Sequence, residues 1–323
     1  MMDPDAKALW IVGPGRAELR SEPAPQPIGD QVVVRSLFGA ISRGTEALVL
    51  AGAVPASEVD RMRCPFQQGE FPFPVKYGYA AVGLVEQGPN ALIGQAVFCL
   101  HPHQDRFTVP AGAVFALPPD LPPGRAVLAA NAETALNVVW DARIGIGDRV
   151  AVIGAGVVGS LVAWLVGEIP GVELILADIN PARRATAEDL GVRFADPSEL
   201  PPDCDVVINA SGQAAGLQTA IATAGFEAAV VEASWYGDRE ISIGLGGAFH
   251  SRRLRIVSSQ VGAVSAARRG RWSHNRRLAK ALELLGDPRL DSLVSGESAF
   301  ADLDRDYAAA LAAPDTLCHR IRY

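Results

Sequence analysis

The chain has 323 residues, of which 49% are hydrophobic and 20% are charged, a composition that is ordinary for a soluble globular enzyme. This length predicts two domains, each with its own hydrophobic core. The formal net charge of −7 argues against a general nucleic-acid or membrane binder. The first ten residues lack the basic-then-apolar order of a secretory signal, and the four scattered cysteines form no Cys-x-x-Cys pair. We therefore expect a cytoplasmic protein with reduced thiols and no cysteine-based zinc framework.

The first part of the chain, from Ala8 to about Pro118, is predicted to be β-rich. Short apolar runs are separated there by Gly and Pro residues, which is typical of strands and turns. A long irregular stretch, Val54 to Pro74, predicts a surface loop of the kind that often carries function. The Pro-rich segment Leu117–Gly124 is the predicted linker. The predicted strands are Gln31–Ser36, Ala81–Glu86 and Ala96–Leu100.

After the linker, apolar strands alternate with helices, which predicts an α/β domain with a doubly wound parallel sheet. The uncharged run Val150–Gly167 could be mistaken for a membrane span, but a buried strand followed by a buried helix explains it better. The tail of the chain is mixed. The predicted strands are Arg149–Ile153, Glu173–Ala177, Asp205–Ala210, Ala228–Glu232 and Leu317–Tyr323, and the predicted helices are Val157–Glu168, Ala182–Leu190, His274–Leu285 and Asp302–Ala312.

A glycine motif lies at the first of these strand-to-helix junctions. Gly154 permits a tight turn, Gly156 lets the backbone approach a pyrophosphate, and Gly159 lets the helix pack closely on the strand. The start of the helix offers N–H groups and a positive dipole end to the anion. The motif therefore predicts a dinucleotide site. The alternative is a glycine-containing turn between strand and helix that binds no ligand. The predicted cofactor-binding residues of the motif are Gly154, Gly156, Val157, Val158 and Gly159.

An acidic residue ends the next predicted strand and bears on the choice of cofactor. Asp178 would accept hydrogen bonds from both adenosine ribose hydroxyls, which favours NAD over NADP. Arg183 and Arg184 follow closely, and a guanidinium group could instead hold a 2′-phosphate. Because Asp178 would repel that phosphate, NAD is the preferred cofactor, and NADP is left open.

Five short segments follow one another in a recognisable order and spacing: Gly29–Val34, Tyr77–Gly83, Thr134–Leu136, Gly147–Gly154 and Asp205–Gly212. Together they resemble the medium-chain dehydrogenase/reductases across nearly the whole chain. The resemblance implies an NAD(P)-dependent oxidoreductase and a homodimer joined through the nucleotide-binding domains, with Ile241–Val257 as the edge. It also implies a β-rich GroES-like catalytic domain over residues 1–124, a Rossmann domain over residues 125–265, and a return to the catalytic domain over residues 266–323.

The chain departs from the zinc-dependent members of this family at their metal ligands. Those members carry a cysteine where this chain has Ser42, a histidine where it has Tyr79, and a third ligand near Ala130. A catalytic zinc needs three protein ligands, so the resemblance implies an enzyme without zinc. The segments Ser42–Glu46 and Gly78–Ala80 look similar to the zinc-lacking branch that contains the bacteriochlorophyllide hydroxyethyl-side-chain dehydrogenase. That similarity implies chemistry between an alcohol and a ketone.

Without zinc, a proton donor must stabilise the alkoxide that develops during ketone reduction. Tyr79 occupies the position of the lost histidine, where it either faces the reacting oxygen or fills the vacated cavity. His101 falls where the family lines the substrate pocket, and we expect it to carry the proton because its ordinary pKa of ~6.5 suits a general acid. Ser42 is the third candidate, as a hydrogen-bonding partner. His103 is interpreted instead as a surface histidine beside a proline, and Thr45 and Glu46 as local hydrogen-bonding and packing residues.

Further cofactor contacts follow from the family pattern. Arg43 aligns with a position that reaches the pyrophosphate, for which a guanidinium fork is well suited. Thr134 and Glu232 fall where the family approaches the nicotinamide, and a carboxylate that ends an apolar strand, as Glu232 does, must be paired. Ser211 follows the strand beside the adenosine site and completes the predicted set.

A basic stretch from Ser251 to Lys280 contains no acidic residue. With a single tryptophan it lacks the interleaved aromatic residues of a nucleic-acid surface. The usual interpretation is a solvated helix face, and the functional alternative is attraction of an anionic substrate.

Three functions remain open at this point. The leading hypothesis is a zinc-independent oxidoreductase that interconverts a secondary alcohol and a ketone on a polar, possibly anionic, small molecule. The second is an enone reductase of the quinone-reductase type, which needs only a donor to the carbonyl. The third is a non-catalytic nucleotide-binding sensor.

Overall fold

In the computed structural model of the chain, residues 5–323 are described, so the first four residues of the leading segment lie outside the description. The described residues form two compact units. The first unit contains the residues up to 130 together with residues 282–323, and the second contains residues 131–281. The domain limits expected from the sequence, after residues 124 and 265, stay predictions. No helix among residues 5–323 is long and apolar enough to cross a membrane.

The strands are β1 Asp5–Gly13, β2 Arg16–Pro23, β3 Gln31–Ile41, β4 Gln68–Gly69, β5 Val75–Lys76, β6 Ala81–Gln87, β7 Ala96–Cys99, β8 Arg106–Pro110, β9 Val114–Ala116, β10 Arg149–Ile153, β11 Glu173–Ala177, β12 Phe194–Ala195, β13 Cys204–Asn209, β14 Ala224–Glu232, β15 Arg255–Ser258, β16 Val294–Ala299 and β17 Cys318–Arg322. The helices are α1 Arg43–Ala51, α2 Pro123–Ala126, α3 Ala129–Ala142, α4 Val157–Gly167, α5 Arg183–Asp189, α6 Ala214–Thr223, α7 Ala248–Ser251, α8 His274–Leu284 and α9 Leu303–Ala312. Short 3₁₀ turns occupy Ala56–Glu58, Ala111–Ala113, Pro197–Glu199, Pro288–Leu293 and Phe300–Asp302.

Two sheets build the first unit. One has the strand order β2-β1-β5-β4, and the other has the order β16-β17-β3-β6-β7-β9, with β8 paired to β3. The apolar runs from which strands were predicted lie in β3 and β6. Their residues Val32, Val34 and Val85 belong to one buried core cluster. The predicted β-rich domain is confirmed. The stretch from Val54 to Pro74 is irregular, with a single 3₁₀ turn and the two-residue strand β4.

A six-stranded sheet builds the second unit, in the order β12-β11-β10-β13-β14-β15, and each neighbouring pair is parallel. Strands β10 and β11 begin and end at the predicted residues. Both are nearly all apolar, as expected for strands buried on two faces. The predicted doubly wound α/β fold is confirmed. Because parallel strands end at one edge of the sheet, the segments after β11, β10, β13 and β14 meet there, which is where ligands bind in such sheets.

Candidate functional site

The glycine loop after β10 has the backbone geometry that the motif requires. Gly154 has a φ of +101°, and a Cβ atom there would lie 2.7 Å from the backbone of Ser211 at the end of β13. A Cβ atom on Gly159 would lie 1.8 Å from the carbonyl oxygen of Gly154. Gly156 is different, because no atom lies within 4 Å of the Cβ position. Two of the glycines are therefore required by the fold itself, whereas the third leaves open space in front of the loop.

Asp178 holds this loop against the end of β11. Its Oδ2 accepts a hydrogen bond of 2.7 Å from the backbone N–H of Ala155, and its Oδ1 accepts one of 2.8 Å from the N–H of Asn180. Each carboxylate oxygen has a second lone pair, so both oxygens keep acceptor capacity for ribose hydroxyls. The nearby arginines differ in exposure. Arg183 is 6% exposed, whereas Arg184 is exposed and lies 4.9 Å from the centre of the Phe194 ring.

A polar cluster lies at the carboxyl ends of β13 and β14. Asn209 donates from Nδ2 to Glu232 (2.8 Å) and accepts at Oδ1 from the Ser211 hydroxyl (2.7 Å). The Tyr236 hydroxyl donates to Glu232 at 3.0 Å, and burial raises the pKa of Tyr236 to about 12 with help from the Glu232 charge. The paired carboxylate expected for Glu232 is therefore present. Tyr236 and Asn209 were not among the predicted residues, because only the fold brings them to Glu232.

These features of the second unit fit a dinucleotide. The first N–H groups of α4, which begins with Val157 and Val158, have no partner within the helix and lie next to the open space at Gly156. Asp178 stands on the neighbouring strand, where the ribose of a dinucleotide bound to such a loop is placed. Thr134 lies in α3, and its expected approach to the nicotinamide stays a prediction.

In the first unit, Tyr79 and Ser42 are brought together. The Tyr79 hydroxyl shares hydrogen bonds with the side chains of Ser42 and Thr45 at the start of α1. Burial, with the negative charge of Glu46, holds the pKa of Tyr79 well above its usual range. Its side chain is partly buried. Tyr79 is therefore a neutral phenol held in place by two hydroxyl groups, with its proton available for a hydrogen bond.

Behind these residues lies a buried cluster that the sequence interpretation assigned differently. His103, expected at the surface, is 1% exposed, and its Nε2 lies 2.8 Å from Oε2 of Glu46. The Tyr307 hydroxyl donates to the same Oε2 at 2.6 Å. The surface assignment of His103 is wrong because its ring packs against Gly78 and Tyr307. Glu46 does make the expected local contact, since its Oε1 accepts from the N–H of Ser42 at 2.8 Å.

His101 is buried in an aromatic stack. Its ring centre lies 3.7 Å from that of Phe107 and 5.7 Å from that of Phe66, and its Nδ1 lies 2.9 Å from the carbonyl oxygen of Pro102. Burial lowers the pKa of His101 to about 3. The reason for choosing His101 as the acid, a pKa near neutrality, therefore does not hold in the folded chain. With Nδ1–H donating to Pro102, the neutral ring presents only an acceptor at Nε2.

Arg43 is oriented by the end of α9. Its Nε donates to the carbonyl oxygen of Leu311 at 3.1 Å, and its Nη1 lies 3.5 Å from the carbonyl oxygen of Pro314. The guanidinium group thus satisfies the C-terminal carbonyls of a helix in the same unit. Its expected contact with a pyrophosphate stays a prediction.

The residues at the family's zinc positions do not fit a zinc ion. Ser42 and Tyr79 are hydrogen-bonded to each other, and the methyl side chain of Ala130 has no atom that could bind a metal. Within residues 5–323, no group of three or more His, Cys, Asp or Glu side chains is arranged to hold a metal ion.

The basic stretch contains two kinds of arginine. Arg277 is 1% exposed, and it donates to Glu133 Oε1 at 3.0 Å and to Asn137 Oδ1 at 2.6 Å. For this residue the interpretation as part of a solvated face is wrong, because its charge is paired with α3. The exposed arginines of the same stretch include Arg268, Arg269, Arg271 and Arg276.

Comparisons with known proteins agree with this architecture, although no family model matches the chain. D-Guloside 3-dehydrogenase of Escherichia coli is 24% identical over an aligned length of 313 residues, which covers 87% of this chain and 89% of the relative. The 2-dehydro-3-deoxy-L-galactonate 5-dehydrogenase of Pseudoalteromonas atlantica is 27% identical over 139 residues, or 40% of each chain. A crystal structure of an alcohol dehydrogenase from E. coli with NADH superposes with a TM-score of 0.79 at 16% identity, covering 99% of this chain and 100% of that one.

These similarities agree with the resemblance to the medium-chain dehydrogenase/reductases that the sequence motifs indicate. The prediction of an enzyme of the NAD(P)-dependent dehydrogenase type is confirmed.

Proposed function

We propose that the chain interconverts a secondary alcohol and a ketone on a sugar-like or sugar-acid molecule, with NAD as hydride carrier and without zinc. The observation that carries the proposal is the phenol of Tyr79, which two hydroxyls hold at the position where zinc-dependent relatives place a metal ligand. The names of the two relatives, which describe oxidation at C3 of a guloside and at C5 of a galactonate derivative, support a secondary hydroxyl as the reacting group.

The nicotinamide, when bound, accepts a hydride from the alcohol or donates one to the ketone. The residues of this chain handle the oxygen and its proton. Tyr79 donates a hydrogen bond to the carbonyl oxygen, and this bond strengthens as negative charge develops there. An alkoxide is a stronger base than a phenolate, so a phenol of raised pKa still protonates it. Ser42 and Thr45 orient the phenol and stabilise it while its proton is shared.

His101 has a different role in this proposal from the one expected from the sequence. With its pKa lowered to about 3, the ring is neutral near neutral pH, and its single N–H is taken up by the carbonyl oxygen of Pro102, so it is not an imidazolium that could serve as the acid. We therefore place the larger effect on Tyr79. Tyr79→Phe should lower kcat by about a hundredfold or more, the scale for losing one donor to a developing oxyanion. His101→Phe, which keeps the stacked ring, should cost less than Tyr79→Phe.

The test is turnover of the purified protein on a panel of compounds, followed by the absorbance of NADH. The panel contains a D-guloside, the sugar acid L-galactonate, a simple secondary alcohol and an α,β-unsaturated ketone, each with both nicotinamide cofactors. Oxidation of a sugar or sugar acid by the chelator-treated protein, and its loss in Tyr79→Phe, is the expected result. Turnover of the unsaturated ketone alone would establish an enone reductase. One zinc ion per chain, with activity lost on its removal, would contradict the metal-free mechanism.

The preference for NAD is tested at Asp178. Asp178→Ala should weaken NAD binding by about 1–3 kcal/mol, since ribose hydroxyls lose their acceptor, and should relax discrimination against NADP. Because Asp178 also binds the N–H of Ala155, the thermal midpoint of the variant is measured beside its affinity. A wild-type protein that already prefers NADP would show that the assignment is wrong.

An anionic substrate is supported by the name of one relative, 2-dehydro-3-deoxy-L-galactonate 5-dehydrogenase, and by the exposed Arg268, Arg269 and Arg271. Long-range attraction between exposed charges is screened by salt, so kcat/KM for the galactonate should fall as ionic strength rises. The neutral guloside is the matched control and should show little change.

A further inference from the structure

The carboxylate of Glu46 is completely buried, yet it is held by three donors. Its Oε2 receives the Tyr307 hydroxyl at 2.6 Å and lies 2.8 Å from His103 Nε2, while its Oε1 receives the Ser42 N–H at 2.8 Å. A buried carboxylate is costly unless it is paired and hydrogen-bonded in this way. His103 and Tyr307 are themselves 1% and 0% exposed. Three buried polar side chains from separate parts of the chain thus converge on one point.

The protein gives this cluster two mechanical links to Tyr79. The first runs through α1, because Glu46 binds the N–H of Ser42 and its own N–H donates to the Ser42 carbonyl. Ser42 and Thr45, on that same first turn, hold the Tyr79 hydroxyl. The carboxylate therefore fixes the backbone that carries both partners of the phenol.

The second link runs through the residue before Tyr79. Gly78 has a φ of +126°, and a Cβ atom on it would lie 2.9 Å from Nε2 of His103. The backbone that leads into Tyr79 thus lies directly against the ring of His103. Since that ring is bound to Glu46, both the hydroxyl end and the backbone end of Tyr79 rest on the same cluster.

The other titratable groups around Glu46 are neutral. The side chains whose ionisation its charge opposes, or that share its hydrogen bonds, are Cys64, Tyr77, Tyr79, Tyr307, Cys318 and Tyr323, and burial raises the pKa of each. Within residues 5–323, His103 is the only basic side chain that contacts the carboxylate directly. The cluster therefore contains one carboxylate and one imidazole, and the tyrosine and cysteine side chains around it are neutral.

We propose that Glu46, held by His103 and Tyr307, is a positioning residue that orients Tyr79 as the hydrogen-bond donor of the proposed reaction. This inference rests on the proposed function. Glu46 does not touch the substrate; it acts by fixing Ser42, Thr45 and Gly78 around the phenol. A displacement of a reacting group by about 1 Å is enough to lower the rate about a hundredfold. The gain from a fixed Tyr79 can therefore outweigh the energetic cost of burying the Glu46 charge.

A double-mutant cycle on kcat tests whether Glu46 acts through Tyr79. Glu46→Gln keeps the shape of the side chain and should lower kcat about tenfold or more in the wild-type background. In the Tyr79→Phe background the same change should cost less than about twofold, since partners that act together are not additive. An equal loss in both backgrounds would reduce Glu46 to a structural role and overturn the inference.

Tyr307→Phe provides the gentler variant if Glu46→Gln does not fold. It removes one hydrogen bond to Glu46 and leaves the contact between Glu46 and His103 intact. Its loss of kcat should be severalfold and should likewise vanish in the Tyr79→Phe background. Tyr323→Phe is the matched control, because that buried hydroxyl bonds to the backbone of Gln104 instead, and it should leave kcat unchanged.

A readout without substrate or cofactor separates the two proposals. The chain has five tyrosines, so isotope-labelled tyrosine gives few ring signals in nuclear magnetic resonance, and the signal lost in Tyr79→Phe is that of Tyr79. This signal should move in Tyr307→Phe and stay in place in Tyr323→Phe. An unmoved signal overturns the positioning role whatever the activity. A Tyr79→Phe enzyme with full turnover would instead refute the proposed donor, even where the signal moves.

Discussion

Gly156 and Gly159, in the loop after β10, have different surroundings. Substitutions at these two positions should therefore distinguish an effect on stability from an effect on cofactor binding. Gly156→Ala adds a methyl group in open space at an ordinary φ of −74°, so the thermal midpoint should be unchanged. The same methyl group faces the expected pyrophosphate, and NADH affinity should fall about tenfold or more.

Gly159→Ala is the matched variant, because its methyl group would lie 1.8 Å from the carbonyl oxygen of Gly154. Overpacking of this kind costs about 1–3 kcal/mol, so this variant should lower the thermal midpoint itself. Calorimetry and NADH fluorescence titration measure the two effects. An equal loss of stability in both variants would contradict the assignment of Gly156 to the ligand.

His101 should make the stability of the folded protein sensitive to acid. Burial lowers its pKa from an ordinary 6.5 to about 3, so the unfolded chain binds a proton more readily than the folded one. Stability from this residue is complete above pH 6.5 and is lost as the pH falls toward 3, at about 1.4 kcal/mol per pH unit. Denaturation curves measured across this range should be flatter for His101→Phe than for the wild type.

His250, which is exposed on α7, provides the control for that experiment, and His250→Phe should follow the wild-type curve. Identical acid limbs in His101→Phe and the wild type would show that His101 is accessible to protons in the folded state.

The role of a single residue could be predicted from the sequence only where its partners lie close to it along the chain. The glycine motif and Asp178 were readable because their roles depend on neighbours along the chain. His103 and Glu46 were not, because they are 57 positions apart and their partner Tyr307 is 261 positions from Glu46. A histidine that follows a proline, as His103 follows Pro102, looks like a surface turn residue until the fold buries it. The signal that could have suggested otherwise is an acidic residue placed among apolar ones at the start of α1.

Elements were predictable where their pattern was local and strong. The apolar strands β10 and β11 have the predicted limits, and α4 ends one residue before its expected end. The longest helix, α3, was missed. It is buried on most of its sides, so it lacks the apolar stripe of an amphipathic helix, and its Asn and Thr residues are weak helix formers.

The packing of α3 leads to a prediction about α8. Arg277 of α8 is buried and bound to Glu133 and Asn137 of α3, while the adjacent Arg276 is exposed and lies 4.0 Å from the centre of the Trp272 ring. Arg277→Ala leaves Glu133 buried without its partner and should lower the free energy of unfolding by about 3–5 kcal/mol. Arg276→Ala should cost about 1 kcal/mol or less. Chemical denaturation of both variants measures this difference, and equal losses would contradict the buried pair.

The predicted catalytic residues and most of the predicted cofactor-binding residues lie in different units of the molecule. The first unit carries the hydroxyl and carboxylate cluster around Tyr79, and the second carries the glycine loop and Asp178. In the proposed function, the second unit determines the choice of cofactor and the first unit acts on the substrate. Variants of Asp178 should therefore change cofactor affinity, and variants of Glu46 should change kcat.

We propose that the protein forms a homodimer through the edge of the second unit's sheet. Strand β15, Arg255–Ser258, pairs with β14 on one side and ends the strand order of this sheet among the described residues. It falls within and just beyond the expected edge Ile241–Val257, and Ile256 on it is 36% exposed. An open edge strand offers its backbone N–H and C=O groups to a second copy, and two-fold pairing is the commonest closed assembly.

Light scattering of the wild type should give twice the mass of one chain at micromolar concentration. Ile256→Lys places a charge on the edge and should raise the dimer dissociation constant about tenfold or more, a change of about 1.4 kcal/mol. Ile146→Lys, which changes a 79%-exposed isoleucine before β10 in the same unit, is the matched control and should leave the dimer intact. A monomeric wild type would rule out this assembly. A dimer that Ile256→Lys leaves unchanged would place the contact on another surface, because a lysine on an edge strand opposes edge-to-edge pairing.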